Sequence, residues 1–149
     1  MSYVAPNAPG PIELSAELAA LLGAALDEGH PVAVTYVDPE GKPHLSLRGT
    51  VQVLSSSQLA MWCRSSGLPD GIATNPNVAL LYQNLDKVEF YVFTGQARVD
   101  DDEAVRQQVF AGSPAREQAI DPDRKGAAVV VDIDSVTGRG PSGRVHMQR

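Results

Sequence analysis

The chain has 149 residues, of which 43% are apolar and 20% are charged, and its formal net charge is −6. This length and balance are typical of one folded domain with a single core, which excludes a wholly disordered chain. The acidic charge disfavours sequence-independent binding of DNA or RNA, and no apolar run is long enough to span a bilayer. The N-terminus lacks the charged-then-apolar order of a signal peptide, so we expect a cytoplasmic protein with no nucleic-acid or membrane partner.

The first predicted element is an amphipathic helix. Met1–Pro11 contains three prolines and no periodicity, so we expect a flexible leader there and a single domain over residues 12–149. Ser15 is a typical N-cap, and apolar residues then recur at helical spacing through about Glu28. Gly29 follows as a natural C-cap.

A hairpin is predicted next. Pro31–Val37 is rich in β-branched residues, and the turn at Asp38–Gly41 leads into a central strand. From His44 to Leu54 polar and apolar residues alternate, which predicts one long strand with one buried face. The residues on the face expected to pack on the core are Leu45, Leu47, Gly49, Val51 and Val53.

The remaining elements are strands joined by turns or short helices. Strands are predicted at Leu59–Arg64, Val78–Tyr82, Val88–Val99 and Ala127–Ile133, and short helices after Pro69, from Asp100, and at about Ala115–Ile120. Gly95 is expected to mark a bulge, and the tail at residues 134–149 is rich in Gly and Arg. Few helices and many tight turns indicate a mainly β protein with peripheral helices, folded as an antiparallel barrel.

A candidate anion site lies on the polar face of the central strand. Arg48 stands between Ser46 and Thr50, and a guanidinium flanked by hydroxyl groups suits a cluster of phosphate oxygens. A ladder of polar residues on a solvated strand face has the same sequence pattern. From the residues alone, both interpretations stay open.

Two segments carry a resemblance to a known family. They are Asn75–Tyr82, with the sequence NPNVALLY, and Thr94–Val99, with the sequence TGQARV. Together with the leading helix and the A-x-W-x-R segment ending at Arg64, they make the chain resemble the pyridoxamine 5′-phosphate oxidase-like superfamily of flavin- and deazaflavin-binding split β-barrels. The resemblance extends from Ala16 to about Val136 and implies a split β-barrel.

The resemblance also implies a homodimer with FMN, or the deazaflavin F420, at the subunit interface. The residues that fall in the two cofactor-holding segments of the family are Ser46, Arg48, Thr50, Trp62, Cys63 and Arg64. His44, beside Ser46 on the polar face of the strand, is either a further candidate near the cofactor or a surface residue. The family's lysine at the end of the first segment is missing, because Gln52 or Val53 stands there.

For two of these candidates, packing in the core is an alternative to contact with the cofactor. Trp62 is either core filler or a wall beside the cofactor's ring system. Cys63, on the opposite face of its strand, is expected to be a buried small apolar residue.

The tail adds a second resemblance. Gly140–His146 is similar to the G-P-S-R-x-H segment of classical pyridoxamine phosphate oxidases, in which the Arg and His contact the substrate. This makes Arg144 and His146 further candidates, with residues 134–149 packing at the cofactor site of the dimer. The R-L-x-P terminus of those enzymes is missing.

Other motifs predict little chemistry. The three histidines have no metal-ligand spacing, so no metal site is expected. Gly138–Gly143 fits G-x-G-x-x-G, but Pro141 and the short remaining segment leave no room for the helix that would bind a pyrophosphate. No catalytic residue can be assigned.

The expected function is that of an FMN- or F420-dependent oxidoreductase that transfers a hydride or electrons to a small organic acceptor. In such sites the cofactor carries the redox chemistry and the protein binds and orients it. Two alternatives stay open: a non-catalytic protein that binds flavin, haem or lipid in the same groove, and a structural dimer whose site has decayed.

Overall fold

The structure is a computed structural model that describes residues 8–149, so residues 1–7 of the expected leader lie outside the described residues. Residues 8–149 form four helices: α1 Ala16–Ala24, α2 Gly67–Thr74, α3 Glu103–Ala111 and α4 Ala115–Ile120. They form eight strands: β1 Val32–Val37, β2 Pro43–Arg48, β3 Gln52–Ser55, β4 Gln58–Cys63, β5 Asn77–Asn84, β6 Glu89–Val99, β7 Ala127–Gly140 and β8 Gly143–Gln148. None of the helices in this part of the chain is long and apolar enough to cross a membrane.

The strands form one antiparallel sheet in the order β2-β1-β5-β6-β7-β4-β3, with β8 also paired to β7. β2 and β3 lie at the two ends of this order, although only residues 49–51 separate them along the chain. Because Arg48 and Gln52 are four Cα steps apart, they lie within about 14 Å of each other. The sheet must therefore curl until its ends approach, which is the split-barrel architecture expected from the sequence.

Several local predictions are confirmed. The Ser15 hydroxyl accepts the N–H of Leu18 at 3.1 Å and caps α1. The pairing of β6 with β7 shifts register between Thr94 and Gly95, where the bulge was predicted. A Cβ on Gly95 would collide with the backbone oxygen of Asp132, so the close approach of the two strands requires glycine.

The prediction of one continuous strand from His44 to Leu54 is wrong. The stretch forms β2 and β3, separated by a corner at residues 49–51. Thr50 holds the corner against β4, because its hydroxyl accepts the N–H of Trp62 at 2.9 Å and donates to the carbonyl of Trp62 at 3.0 Å. These two bonds draw the chain away from β1 and towards β4.

The corner decides which of the alternating residues are buried. Val51 is 3% exposed and Val53 packs against the main core, whereas Leu45 and Leu47 are 70% and 68% exposed. The polar–apolar alternation of the sequence continues through the corner, but the apolar face packs against the core only after it. The predicted core face is therefore correct for Val51 and Val53 and wrong for Leu45 and Leu47.

β4 contributes to two hydrophobic cores. Leu59, Met61 and Cys63 belong to the main core, which also receives α1, whereas Ala60 and Trp62 face a second core beneath α3. The other buried members of the second core are Val109, Phe110, Ala128 and Val130. The end of β4 is thereby fixed on both faces.

The predicted end of the last strand at Ile133 is also wrong. β7 continues to Gly140 and pairs with β8, which in turn hydrogen-bonds to the backbone of Gly10. Gly138 lies inside β7, where a Cβ would collide with the backbone oxygen of Phe90. The glycine therefore permits close strand packing.

Candidate functional site

An open pocket of about 300 Å³ lies at the corner between β2 and β3. We call it the corner pocket. Its lining residues are Leu47, Arg48, Gly49, Thr50, Trp62, Arg64, Ser65 and Glu117. Four residues that the sequence analysis named as cofactor candidates therefore lie together: Arg48, Thr50, Trp62 and Arg64.

Arg48 presents a half-buried guanidinium to the corner pocket. Its Nε donates to the hydroxyl of Ser46 at 3.0 Å, so Ser46, two residues earlier on the same strand face, orients the side chain. Within residues 8–149 no carboxylate lies at ion-pair distance from Arg48. A guanidinium in this situation is available to an anion.

Thr50 lines the pocket but is only 4% exposed. Its one hydroxyl proton is already donated to the carbonyl of Trp62. Thr50 therefore fixes the corner in place and has no proton left to donate to a ligand.

Trp62 is packed chiefly as a core residue. It is 5% exposed, its ring meets Phe110 edge-on at 5.2 Å between centroids, and the guanidinium carbon of Arg106 lies 4.9 Å from its ring centroid. Its indole N–H donates to Oδ2 of Asp121 at 2.9 Å. Of the two interpretations open for Trp62, the packing favours core filler.

Asp121 anchors the indole of Trp62 from the loop before β7. Its carboxylate also accepts the backbone N–H groups of Lys125 and Gly126 at 3.0 and 2.9 Å. The hydrogen bond from Trp62, followed by these backbone bonds, lowers the pKa of Asp121 below its ordinary value despite some desolvation. The charged form of Asp121 is therefore part of the folded structure.

Arg64, just after β4, contributes the second cation of the pocket. Its side chain is 47% exposed, and its Nη2 lies 3.6 Å from Oε2 of Glu117 on α4. The side chain of Glu117 is 19% exposed. The corner pocket thus holds two guanidinium groups and one carboxylate.

Cys63 lies behind the pocket, in the main core. It is 1% exposed, and burial raises its pKa to about 11, with the charge of Arg48 acting in the opposite direction. A thiol that stays protonated and buried is an apolar packing group, as expected from the sequence.

His44 lies at the other end of β2 from Arg48 and does not line the corner pocket. Its Nε2 is 2.9 Å from Oδ2 of Asp38, and its ring stacks on Tyr36 with 4.9 Å between centroids. The hydrogen bond with His44 is the main cause of a lowered pKa at Asp38. These contacts tie His44 to the β1–β2 turn.

Arg144 and His146 lie on β8, opposite Arg139 and Thr137 of β7. Arg144 lines a separate hollow that it shares with Phe90 and Arg139. Within their own chain, neither residue lines the corner pocket.

Glu117, Ser65 and the role of Gly49 were not predicted from the sequence. A Cβ on Gly49 would lie 2.5 Å from a methyl carbon of Leu26 and 3.2 Å from Oε1 of Glu117, so glycine lets these two side chains pack closely against the corner. No spacing pattern links Glu117 to Arg64, because only the fold brings α4 to the end of β4. Within residues 8–149 no cluster of His, Cys, Asp or Glu is arranged to hold a metal ion.

Comparisons with known proteins support the fold. No protein-family model and no curated protein matches the chain. Among solved structures, HupZ of group A Streptococcus aligns with a TM-score of 0.64 and 15% identity, over 88% of this chain and 97% of HupZ. A Clostridium acetobutylicum protein related to general stress protein 26 of B. subtilis, in the pyridoxinephosphate oxidase family, gives 0.62 and 12%, over 87% and 94% of the two chains.

An F420 reductase aligns with a TM-score of 0.54 and 15% identity, over 72% of this chain and 89% of the reductase. The chain therefore has the split-barrel fold of the pyridoxamine 5′-phosphate oxidase-like proteins, as its sequence resemblance implied. At identities of 12–15% the likeness concerns the fold alone. The function must be argued from the site.

Proposed function

We propose that this chain binds the phosphate of FMN, or of the deazaflavin F420, at the corner pocket and acts as an oxidoreductase on a small organic substrate. The observation that supports this most directly is that Arg48 and Arg64 line the same pocket between the two ends of the sheet. Each guanidinium offers several N–H donors to phosphate oxygens, so a pair of them favours a phosphate over a neutral ligand.

The residues present fit the phosphate of such a cofactor better than its ring system. Arg48 has Ser46 to orient it, and Arg64 lines the same pocket. By contrast, Thr50 and Trp62 already use their hydroxyl and indole protons within the protein. The ring system therefore needs further contacts beyond these walls.

We propose that a second copy of the chain supplies those contacts in a homodimer. The pocket volume of about 300 Å³ is at the small end of the roughly 300–1,000 Å³ typical of ligand pockets. Leu47 lines the pocket, and Leu45, Leu47 and Leu85 are 70%, 68% and 76% exposed. We call these three residues the apolar strip, since Leu47 and Leu85 also border a common hollow. Burial of the strip between two subunits would complete the pocket.

In the same proposed dimer, residues of the tail contact the cofactor bound by the other subunit. Because Arg144 and His146 do not line the corner pocket of their own chain, their proposed contact with a cofactor is made across the subunit interface. When bound, the cofactor supplies the transfer of a hydride or electrons, and the chain's own residues bind and orient it.

The test is a titration with FMN, F420 and riboflavin, followed by the fluorescence of Trp62, the single tryptophan of the chain. We expect Arg48→Ala to weaken binding of the phosphate-bearing cofactor by about 10–100-fold, the scale of a charged hydrogen bond. Arg98→Ala is the matched control, since Arg98 is an exposed arginine paired with Asp132 outside the pocket. Equal affinity in wild type and Arg48→Ala would contradict the proposed phosphate site.

Reduction of the bound cofactor distinguishes the enzyme from a carrier. Bleaching of the bound flavin by NAD(P)H, followed by reoxidation with a small organic acceptor, supports the oxidoreductase. Tight binding of a cofactor that is never reduced favours the non-catalytic alternative.

A further inference from the structure

Glu117 brings a carboxylate into a pocket whose other charged residues are cations. Of the described residues that line the corner pocket, it is the one carboxylate, beside Arg48 and Arg64. Its Oε2 lies 3.6 Å from Nη2 of Arg64, and its Oε1 lies 3.2 Å from the place where a Cβ on Gly49 would stand. The carboxylate therefore reaches from the end of β4 to the corner, where an anion would meet Arg64.

The helix that carries Glu117 is fastened by contacts outside the pocket. Nη2 of the preceding Arg116 donates to the carbonyl of Leu26 at 2.8 Å, and its Nε lies 3.5 Å from Oδ1 of Asp27. Neither Leu26 nor Asp27 lines the corner pocket. The backbone of α4 is thus held against the segment after α1, which keeps the Glu117 side chain at Arg64.

We propose that Glu117 is a built-in occupant of the anion position, which the phosphate of an incoming ligand must displace from Arg64. This inference rests on the proposed phosphate site and deepens it. Carboxylate and phosphate oxygens compete for the same guanidinium donors, and two anions side by side repel each other strongly where water is partly excluded.

The displacement weakens the binding of every anion by a common factor. A free inorganic anion has only the guanidinium groups of Arg48 and Arg64 to bind, so Glu117 keeps it away from Arg64 at low concentration. A cofactor that also makes contacts through its ring and side chain overcomes the same factor. Glu117 therefore reserves Arg64 for a phosphate that is part of a larger ligand.

The experiment compares wild type with Glu117→Gln, which keeps the size of the side chain and removes its charge. Binding of FMN, riboflavin and inorganic phosphate is measured at constant ionic strength, because salt screens exposed charges. Asp27→Asn is the matched control, since it changes the net charge equally outside the pocket lining, and the hydrogen bond from Arg116 to the carbonyl of Leu26 still holds α4.

We expect Glu117→Gln to bind FMN and inorganic phosphate about tenfold more tightly than wild type, the scale of one charged interaction. Riboflavin, which lacks the phosphate, should bind both proteins within about twofold, and Asp27→Asn should resemble wild type. An FMN affinity that is unchanged or lower in Glu117→Gln, or raised equally in Asp27→Asn, overturns the inference.

The outcomes separate this inference from the proposed function. If wild type binds FMN and Arg48→Ala weakens it while Glu117→Gln does nothing, the flavin site stands and the role of Glu117 is wrong. If Glu117→Gln strengthens inorganic phosphate binding while neither FMN nor F420 binds to either protein, Glu117 acts as proposed and the cofactor function is wrong. If Glu117→Gln binds neither phosphate nor FMN nor F420, both are overturned.

Discussion

The two halves of His44–Leu54 share one alternating sequence pattern, but the apolar residues of the first half are exposed and those of the second half are covered. Before the corner, β2 lies at one end of the sheet order with Leu45 and Leu47 exposed. After it, Thr50 and Val51 are buried, and Thr50 is bonded to β4 at the other end. Alternation thus indicates that a strand has two unlike faces, but it does not say what will cover them. The second half is covered by its own chain, and we infer that the first half needs another molecule.

We expect the largest effect, on dimer dissociation, when the exposed leucines of β2 are replaced by polar residues. In the double variant Leu45→Ser/Leu47→Ser, each change acts twice across a two-fold interface, and each buried leucine contributes about 1.5–3 kcal/mol. We therefore expect the dimer dissociation constant to rise about a hundredfold or more. The free energy of unfolding of the monomer should change by no more than about 0.5 kcal/mol, because both side chains are exposed in it.

Light scattering over a dilution series measures this change. Val99→Ser is the control, because Val99 is far from the apolar strip. The strand register aligns Leu47 in one row across the sheet with Ala33, Leu81 and Val92, and Val99 lies about 23 Å from Val92 along β6. A wild-type chain that is monomeric at every concentration would contradict the proposed homodimer.

The variant Thr50→Val tests whether the Thr50 hydroxyl holds the corner against β4. This change keeps the shape of the side chain but leaves the N–H and carbonyl of Trp62 without their partner. Two unsatisfied buried groups should lower the free energy of unfolding by about 2–4 kcal/mol. Urea unfolding measures the loss, and Thr50→Ser, which retains the hydroxyl, should lose only about 1 kcal/mol. Similar losses in the two variants would show that the hydroxyl does not hold the corner.

A smaller effect is expected at Asp121, which supports the wall of the pocket through Trp62. Its Oδ2 accepts from both Trp62 and Gly126, and an asparagine offers only one accepting oxygen. Asp121→Asn should therefore lower the free energy of unfolding by about 1–3 kcal/mol at pH 7.

The effect of Asp121 should also depend on pH. The folded pKa is lowered, so its contribution is complete above the ordinary value of 3.8 and is lost as the pH falls through the folded pKa. The difference in stability between wild type and Asp121→Asn should therefore shrink below about pH 4. A difference that stays constant down to pH 2 would show that the charge of Asp121 is not involved.

The smallest effect is expected at the far end of β2. His44→Ala removes the contacts with Asp38 and Tyr36 but lies four residues from Arg48, so FMN affinity should stay within about twofold of wild type. A fall of tenfold in the titration would instead place His44 at the cofactor, the other interpretation of its position beside Ser46 on the polar face.

Much of the fold was predictable because it depends on local patterns. The Ser15 cap, the bulge at Gly95 and the succession of strands all follow from residues close together in sequence. Arg48 was named from its place between Ser46 and Thr50, Arg64 was named through the family resemblance, and both line one pocket.

The rest of the site depends on contacts between distant segments. The corner is made by Thr50 bonding to the backbone of Trp62, and the carboxylate in the pocket arrives on α4 through the ion pair of Glu117 with Arg64. Neither contact has a periodic signature. The exposure of Leu47 was missed for the same reason, since period-two alternation does not distinguish a core from an uncovered edge.

The link at residues 49–51 has a consequence for ligand size. It joins the two ends of the sheet at the corner pocket, so its length limits how far Arg48 and Gln52 can move apart. Each residue of extended chain spans about 3.3–3.6 Å, and inserting one glycine would raise that limit by the same amount. If the pocket binds a phosphate as we propose, we expect such an insertion to admit a wider ligand between the two ends of the sheet.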